Sequence, residues 1–370
     1  MVNKKKYKKY CNEHYLRFNL DNDRTWKLFI KEFGEKRTDK LNQLFADRFN
    51  NPEKGNPYDF CENFKETSCL MYFQSDFFYE NSIKLLETIE SLKPHKTLEL
   101  GCYNGILLNY LAELYAGEKF VGIDVEEKIV GFANERFKRD NLDFINLDYK
   151  DISKLNNKFD FIFSLFGIEN IPSNIKFDTY KIRNNKNYLA KYKYFDNFFR
   201  LLRPVVEDNT NFLPLIRITG LNCLLAFLDA GKKNKWSLKD NKIDFVKSGN
   251  IHRMNERIPS FLLKYNTEGN SEQMDLDNFF EITKEYMDKD DLRDVYSYQE
   301  NKPKFKDKIK EDSIYYEDDE NTMRYEIYKN LGIYMMFLWS TNGFSIYREF
   351  SNKNDLEESF TLYTKRYLDF

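Results

Sequence analysis

Between Thr97 and Tyr110 the chain reads TLELGCYNGILLNY. Thr97 to Leu100 has the pattern of a short apolar strand, Gly101 and Gly105 bracket a turn, and from Ile106 to Tyr115 the apolar residues recur at helical spacing. A strand that runs through a glycine-containing turn directly into a helix opens a nucleotide-type α/β binding fold. The glycines let the backbone turn tightly and approach a ligand with no Cβ in the way. No other stretch restricts the architecture as strongly.

The chain after it keeps alternating. Lys119–Asp124 (KFVGID), Leu142–Leu147 and Phe159–Ser164 (FDFIFS) read as the second, third and fourth strands, with a helix over Ile129–Arg139 after the second. A long aromatic helix over Asn187–Leu202 stops at Pro204, Phe212–Thr219 reads as strand five, and a helix follows over Leu221–Ala230 with Gly231 as its C-cap. Lys242–Lys247 and Ser260–Tyr265 complete the set. The segment GNIHRMNERIP between them has no helical pattern, so they are expected to form an antiparallel hairpin at the sheet edge. The predicted fold class is α/β: a doubly wound, mostly parallel seven-stranded sheet with an antiparallel last strand, spanning residues 81–266.

Additions flank this core. In residues 1–80 the lysine-rich start MVNKKKYKKY is expected to be a solvated end, helical spacing runs over Asn22–Phe49 with a break at Gly34, and Asn50–Tyr58 is a loop. Cys69–Tyr79 (CLMYFQSDFFY) is dense in aromatics, as core packing or as a lid over a ligand site. Asn81–Leu92 then reads as an amphipathic helix ended by Pro94. Residues 267–370 are expected to be an α+β extension. It has helices near Leu276–Met287 and Thr322–Asn330 around a charged stretch, a hairpin Ile333–Ser340/Phe344–Phe350 turning at Asn342-Gly343, and a last helix over Asn354–Leu368.

Composition narrows the function. Lys+Arg 58 against Asp+Glu 60 leaves a net charge of −2, which gives no global footprint for DNA or an anionic membrane. The longest apolar run, Ile333–Trp339, is far too short to span a bilayer, and no apolar segment follows the basic start as in a secretory signal. The 5 cysteines are scattered with no CxxC spacing, which fits a reduced, cytoplasmic protein without a structural zinc or other metal site.

The order Glu99-Leu-Gly101-Cys102-Tyr-Asn-Gly105, Asp124 closing strand two, Asp148 after strand three and Phe159-Asp160 opening strand four resembles class I S-adenosylmethionine (SAM)-dependent methyltransferases. The resemblance covers about Asn81 to Asn266. Asp124 lies about twenty residues past the glycine turn at the tip of the neighbouring strand, where a carboxylate can accept both hydroxyls of a ribose. The resemblance implies that Glu99 orients the ammonium of the methionine end. It also implies that Asp148 accepts from the adenine amino group, with Val125 or Tyr149 on the ring, and that Ser164 lies beside the methionine part. Gly101, Cys102 and Gly105 would form the binding loop. A dinucleotide dehydrogenase is the competing enzyme reading. Tyr103 departs from the middle glycine common in the loops of both families, and its absence costs a pyrophosphate site more, because the backbone there must hug two phosphates and SAM carries none.

The acceptor is less constrained. After strand four the chain reads SLFGIENIP, without the Asn/Asp-Pro-Pro-aromatic motif of amino-methylating DNA enzymes. No cysteine follows a proline, as cytosine-C5 enzymes require, and only Glu169 stands where arginine methyltransferases carry two glutamates. A small-molecule O or N acceptor is therefore expected, with Glu169 and His252 as candidate general bases. The alternatives are a macromolecular acceptor (protein or RNA) and a SAM-fold scaffold without catalysis. The C-terminal extension is a candidate wall of the acceptor pocket or a contact between copies of the chain.

Overall fold

The computed structural model describes residues 2–50, 56–168, 186–216, 221–249, 255–269, 273–285, 309–317, 322–330, 332–340 and 345–368. They fall into two compact units, one of residues up to Asp275 and one from Leu276 onward.

The first unit begins with helices α1 (Lys4–Glu13), α2 (Asn22–Phe33), α3 (Glu35–Asn50), α4 (Phe64–Leu70) and α5 (Ser75–Leu92). The lysine-rich start is thus a helix and not a solvated end. Tyr7, Tyr10 and Cys11 share one face of α1 and are buried, so the ring packing of Tyr7 and Tyr10 on Tyr110, at 4.8 Å each, holds what the lysines alone would not. Gly34 separates α2 from α3 at φ 77°, a backbone angle that suits glycine. The aromatic stretch packs inward: the Phe73 ring meets Trp26, Phe29 and Phe45, and Tyr72 OH donates to the Tyr15 carbonyl at 2.9 Å.

The sheet follows: β1 (Lys96–Leu100), α6 (Ile106–Leu114), β2 (Lys119–Asp124), α7 (Glu127–Arg136), β3 (Leu142–Asn146), β4 (Phe159–Leu165), α8 (Lys186–Leu202), β5 (Val206–Leu215), α9 (Leu221–Lys233), β6 (Trp236–Leu238), β7 (Asp244–Gly249), β8 (Asn255–Ser260) and β9 (Leu263–Tyr265). The seven-stranded order is β3-β2-β1-β4-β5-β9-β6, with β9 antiparallel to both its neighbours and β1 to β5 parallel. Parallel strands covered on both faces need apolar residues at successive positions, and Phe161, Ile162 and Phe163 are all fully buried.

Two sequence expectations change here. The closing pair is not the hairpin predicted over Lys242–Lys247 and Ser260–Tyr265. β7 and β8 pair with each other as a separate ribbon, and the sheet is completed by β9 and by β6, a three-residue strand too short to show a period. Gly231 does not cap α9 but lies inside it, where a Cβ would stand 3.3 Å from the Phe199 ring.

The second unit holds α10 (Leu276–Thr283), an antiparallel sheet β10 (Ile309–Glu317), β11 (Thr322–Asn330), β12 (Ile333–Ser340), β13 (Ser345–Phe350), and α11 (Lys353–Leu368). Thr322–Asn330 is a strand where a helix was expected. Its Met, Arg, Glu and Lys favour helix locally, but ladders on both edges, to β10 and to β12, override a weak propensity. Tyr325, Met336, Leu338 and Leu356 form the buried cluster between this sheet and α11. Among the described residues no helix is long and apolar enough to cross a membrane.

Candidate functional site

The tips of β1, β2 and β4 carry the residues singled out above. The turn after β1 is held by its neighbour strand: the Gly101 and Cys102 amides both donate to the Ile123 carbonyl, at 2.8 and 3.0 Å. Gly105 has φ 72° and its missing side chain makes room for the Phe144 ring, which a Cβ would meet at 2.3 Å. Gly101 has φ 78° and lies against Gly167 beyond β4, whose Cα a Cβ would meet at 2.3 Å. Both glycines are therefore required by close approach as well as by backbone angle.

Tyr103, which departs from the glycine of related loops, takes φ 49° at that middle position. Its cost is offset by anchoring. Tyr103 OH donates to the Thr67 carbonyl at 2.9 Å, and the next residue, Asn104, donates to Thr67 Oγ1 at 3.1 Å. The turn is thus fastened to α4, a connection nothing in the local sequence announces.

Asp124 ends β2 beneath this turn. Its Oδ2 accepts the Tyr103 amide at 2.8 Å and its Oδ1 accepts the Glu126 amide at 3.1 Å. A carboxylate offers about four lone-pair sites, so two remain for a pair of hydroxyls. Burial raises the Asp124 pKa, and the hydrogen bonds that the carboxylate accepts from the Glu126 and Tyr103 amides oppose that rise. Val125, next in the chain, is 58% exposed, an apolar surface at the strand tip on which a ring can pack.

Glu99 is the anomaly of the site. It is 2% exposed, and among the described residues its Oε2 has no hydrogen-bond partner. Burial pushes its pKa well above the carboxylate range, and the nearby Asp124 charge adds to the rise. Natural interiors rarely leave such an acceptor unmatched. A cationic ligand group would match it, and the SAM ammonium fits that requirement in charge and donor capacity.

The other candidates are placed as follows. Ser164 is fully buried, donates to the Leu100 carbonyl at 2.9 Å and accepts the Gly167 amide at 3.1 Å. Cys102 is buried beside Glu99 and Asp124, and burial raises its thiol pKa. Asp148 accepts the Lys150 amide at 2.9 Å and starts a short 3-10 turn. Tyr149 turns its ring edge-on to Phe198 and its hydroxyl to Tyr194, 3.1 Å away. Glu169 and His252 lie outside the described residues. Of the remaining histidines, His95 is exposed beside Glu118 at the opposite end of β1, and His14 is held between Tyr10 and Phe137, burial taking its pKa down to about 4.

Two participants escaped sequence reading. Gly167 is one, although a glycine directly after strand four was a visible signal. Phe166 is the other: it holds φ 64° and stacks on Phe77 at 4.4 Å, so the aromatic stretch does reach the turn region through one ring.

Comparison with known proteins bears on this geometry. Residues 97–181 match the profile of a family described as "Methyltransferase domain". Over 92 residues the chain is 28% identical to "Putative methyltransferase 235L" of Invertebrate iridescent virus 6, a match covering 25% of this chain and 34% of that protein. The chain therefore spans about a third of the length of that curated relative. Among solved structures it is similar to the N-methyltransferase NodS from Bradyrhizobium japonicum WM9, at 13% identity and TM-score 0.37, covering 52% of this chain and 99% of that one. It is also similar to magnesium protoporphyrin IX methyltransferase from Synechocystis PCC 6803 with bound SAM, at 14% identity and TM-score 0.34, covering 68% and 100%. With its glycine turn, its acidic strand tips and the strand order they sit in, the segment matched by the family profile is a class I SAM-dependent methyltransferase domain.

Proposed function

We propose that this protein transfers a methyl group from SAM to an oxygen or nitrogen of a small-molecule acceptor. The observation that carries the donor side is the pairing of two carboxylates at neighbouring strand tips. Asp124 keeps acceptor capacity for two hydroxyls, and Glu99 is buried with an unmatched oxygen. When bound, SAM supplies an activated methyl on a sulfonium, already a good leaving group. The chain's own residues then position and exclude water more than they activate. Asp124 would hold the ribose, Val125 and Asp148 the adenine, and Glu99 the ammonium. Ser164, which fastens the tip of β4 to that of β1, fixes the separation of the two strand ends. The acceptor class rests on the missing motifs of DNA- and arginine-directed enzymes, and Glu169 and His252 are the proposed bases if the acceptor is a hydroxyl.

Titration calorimetry with SAM and with NAD tests the donor side, with SAM binding and NAD silent as the expected result. Tight NAD binding without SAM binding would overturn it. Asp124→Asn should weaken SAM by about ten- to a hundredfold, the range expected for losing hydrogen bonds to a charged group. Methyl-labelled SAM incubated with a metabolite extract and with extracted protein and RNA separates the acceptor classes. Label confined to a macromolecule would refute the small-molecule reading.

A further inference from the structure

α8 and α9 run side by side in the same direction, and their facing residues recur at a nearly constant offset. Phe195 packs on Phe227 with ring centroids 4.9 Å apart. One turn further, Gly231 receives the Phe199 ring at 3.3 Å from where its Cβ would be. At the far end Arg203 donates to Asn234 Oδ1 at 2.9 Å. Carried one turn back from Phe195 and Phe227, the same ladder sets Lys191 opposite Cys223. Each is 1% exposed.

A lysine in that place is costly. Among the described residues its Nζ has no oxygen or nitrogen partner and faces only the Cys223 sulfur, and an apolar side chain of similar length would fill the space without stranding a charge. Burial lowers the Lys191 pKa, and the Cys223 sulfur counters part of the shift. Lowering the pKa of a buried lysine increases its share of neutral amine, which is a nucleophile.

We propose that Lys191 and Cys223 form a redox-sensitive covalent crosslink between α8 and α9. Hydrogen peroxide oxidises the Cys223 thiol to a sulfenic acid and one water leaves. The Lys191 amine then attacks the sulfur, an S–N bond forms, the S–O bond breaks, and the hydroxyl departs with an amine proton as a second water. The peroxide takes up the two electrons, and the protein loses one S–H and one N–H hydrogen. A second equivalent of peroxide inserts an oxygen between nitrogen and sulfur and releases one more water. The link ties the second turn of the helix that follows β4 to the first turn of the helix that follows β5. It is independent of the methyl-transfer reading.

The test is peptide mapping of the full chain after mild hydrogen peroxide, with residual thiols blocked before digestion. The peptides holding Lys191 and Cys223 should appear joined, at about 2 Da below their summed mass or about 14 Da above it, and should separate on adding dithiothreitol. The joined species should vanish in Cys223→Ser and in Lys191→Arg, whose guanidinium stays charged. Cys223 recovered unlinked, whether unmodified or as sulfinic or sulfonic acid, would overturn the proposal. So would a lysine crosslink at Cys11, Cys61, Cys69 or Cys102 in its place. The wild-type map decides the question even if a variant folds poorly.

Discussion

Glu99 concentrates the physics of the donor site in one side chain. Buried and raised in pKa, it holds its proton in the folded protein at pH values where the unfolded chain has lost it. It therefore contributes no penalty below the ordinary glutamate range, and stability falls as pH rises from that range toward the folded value. Glu99→Gln has no proton to lose. The variant should unfold at a higher temperature than wild type at neutral pH, with the difference closing near pH 4, as thermal melts across pH will show. The same change should weaken SAM by about tenfold or more, because the amide, unlike the carboxyl, cannot give up a proton to become the anion that faces the ammonium. Opposite signs for stability and affinity would mark a group kept for binding; a variant weaker in both would make Glu99 structural. The glutamate and the aspartate were legible as letters at strand ends. The unmatched oxygen was not, because it depends on packing from β2 and β4 that no local pattern encodes.

Among the elements, the turn after β1 and the bend after β4 work as a pair. A Cβ on Gly167 would fall 2.1 Å from the Leu100 carbonyl oxygen, so backbone must move. Gly167→Ala should cost about 2 kcal/mol, in the range for overpacking. Gly117→Ala, where nothing lies within 4 Å, should change stability by less than about 0.5 kcal/mol. Urea midpoints at constant m-value check both, and equal costs would remove the close contact as the cause. Strand and helix positions in β1 to β5 were readable because buried parallel strands and their crossover helices announce themselves by continuous apolar runs and helical spacing. β6 was too short to have a period, and β11 was misread because its own residues favour helix while the ladders to the flanking β10 and β12, which no single window shows, decide for strand. α1 was missed because its charged face dominates the composition while three residues, Tyr7, Tyr10 and Cys11, make its contact.

For the whole molecule, the two compact units carry separate cores, a large one in the first unit and the small Tyr325–Met336–Leu338–Leu356 cluster in the other. Scanning calorimetry should show unfolding that is not two-state, with a calorimetric enthalpy exceeding the van't Hoff value; coincidence of the two would mean one cooperative unit. The boundary near Asp275 was approachable from the polar run NTEGNSEQMD, whereas the internal build of the second unit was not. The position of β9 has a consequence for biosynthesis. It is the last strand of its sheet to leave the ribosome, yet it sits between β5 and β6, so any chain halted after Leu238 and before Leu263 has an unfilled slot. Until the last of those residues arrives, the edge of β5 is an open template for a strand from another chain. Slow translation or truncation in that interval should favour aggregation of newly made protein.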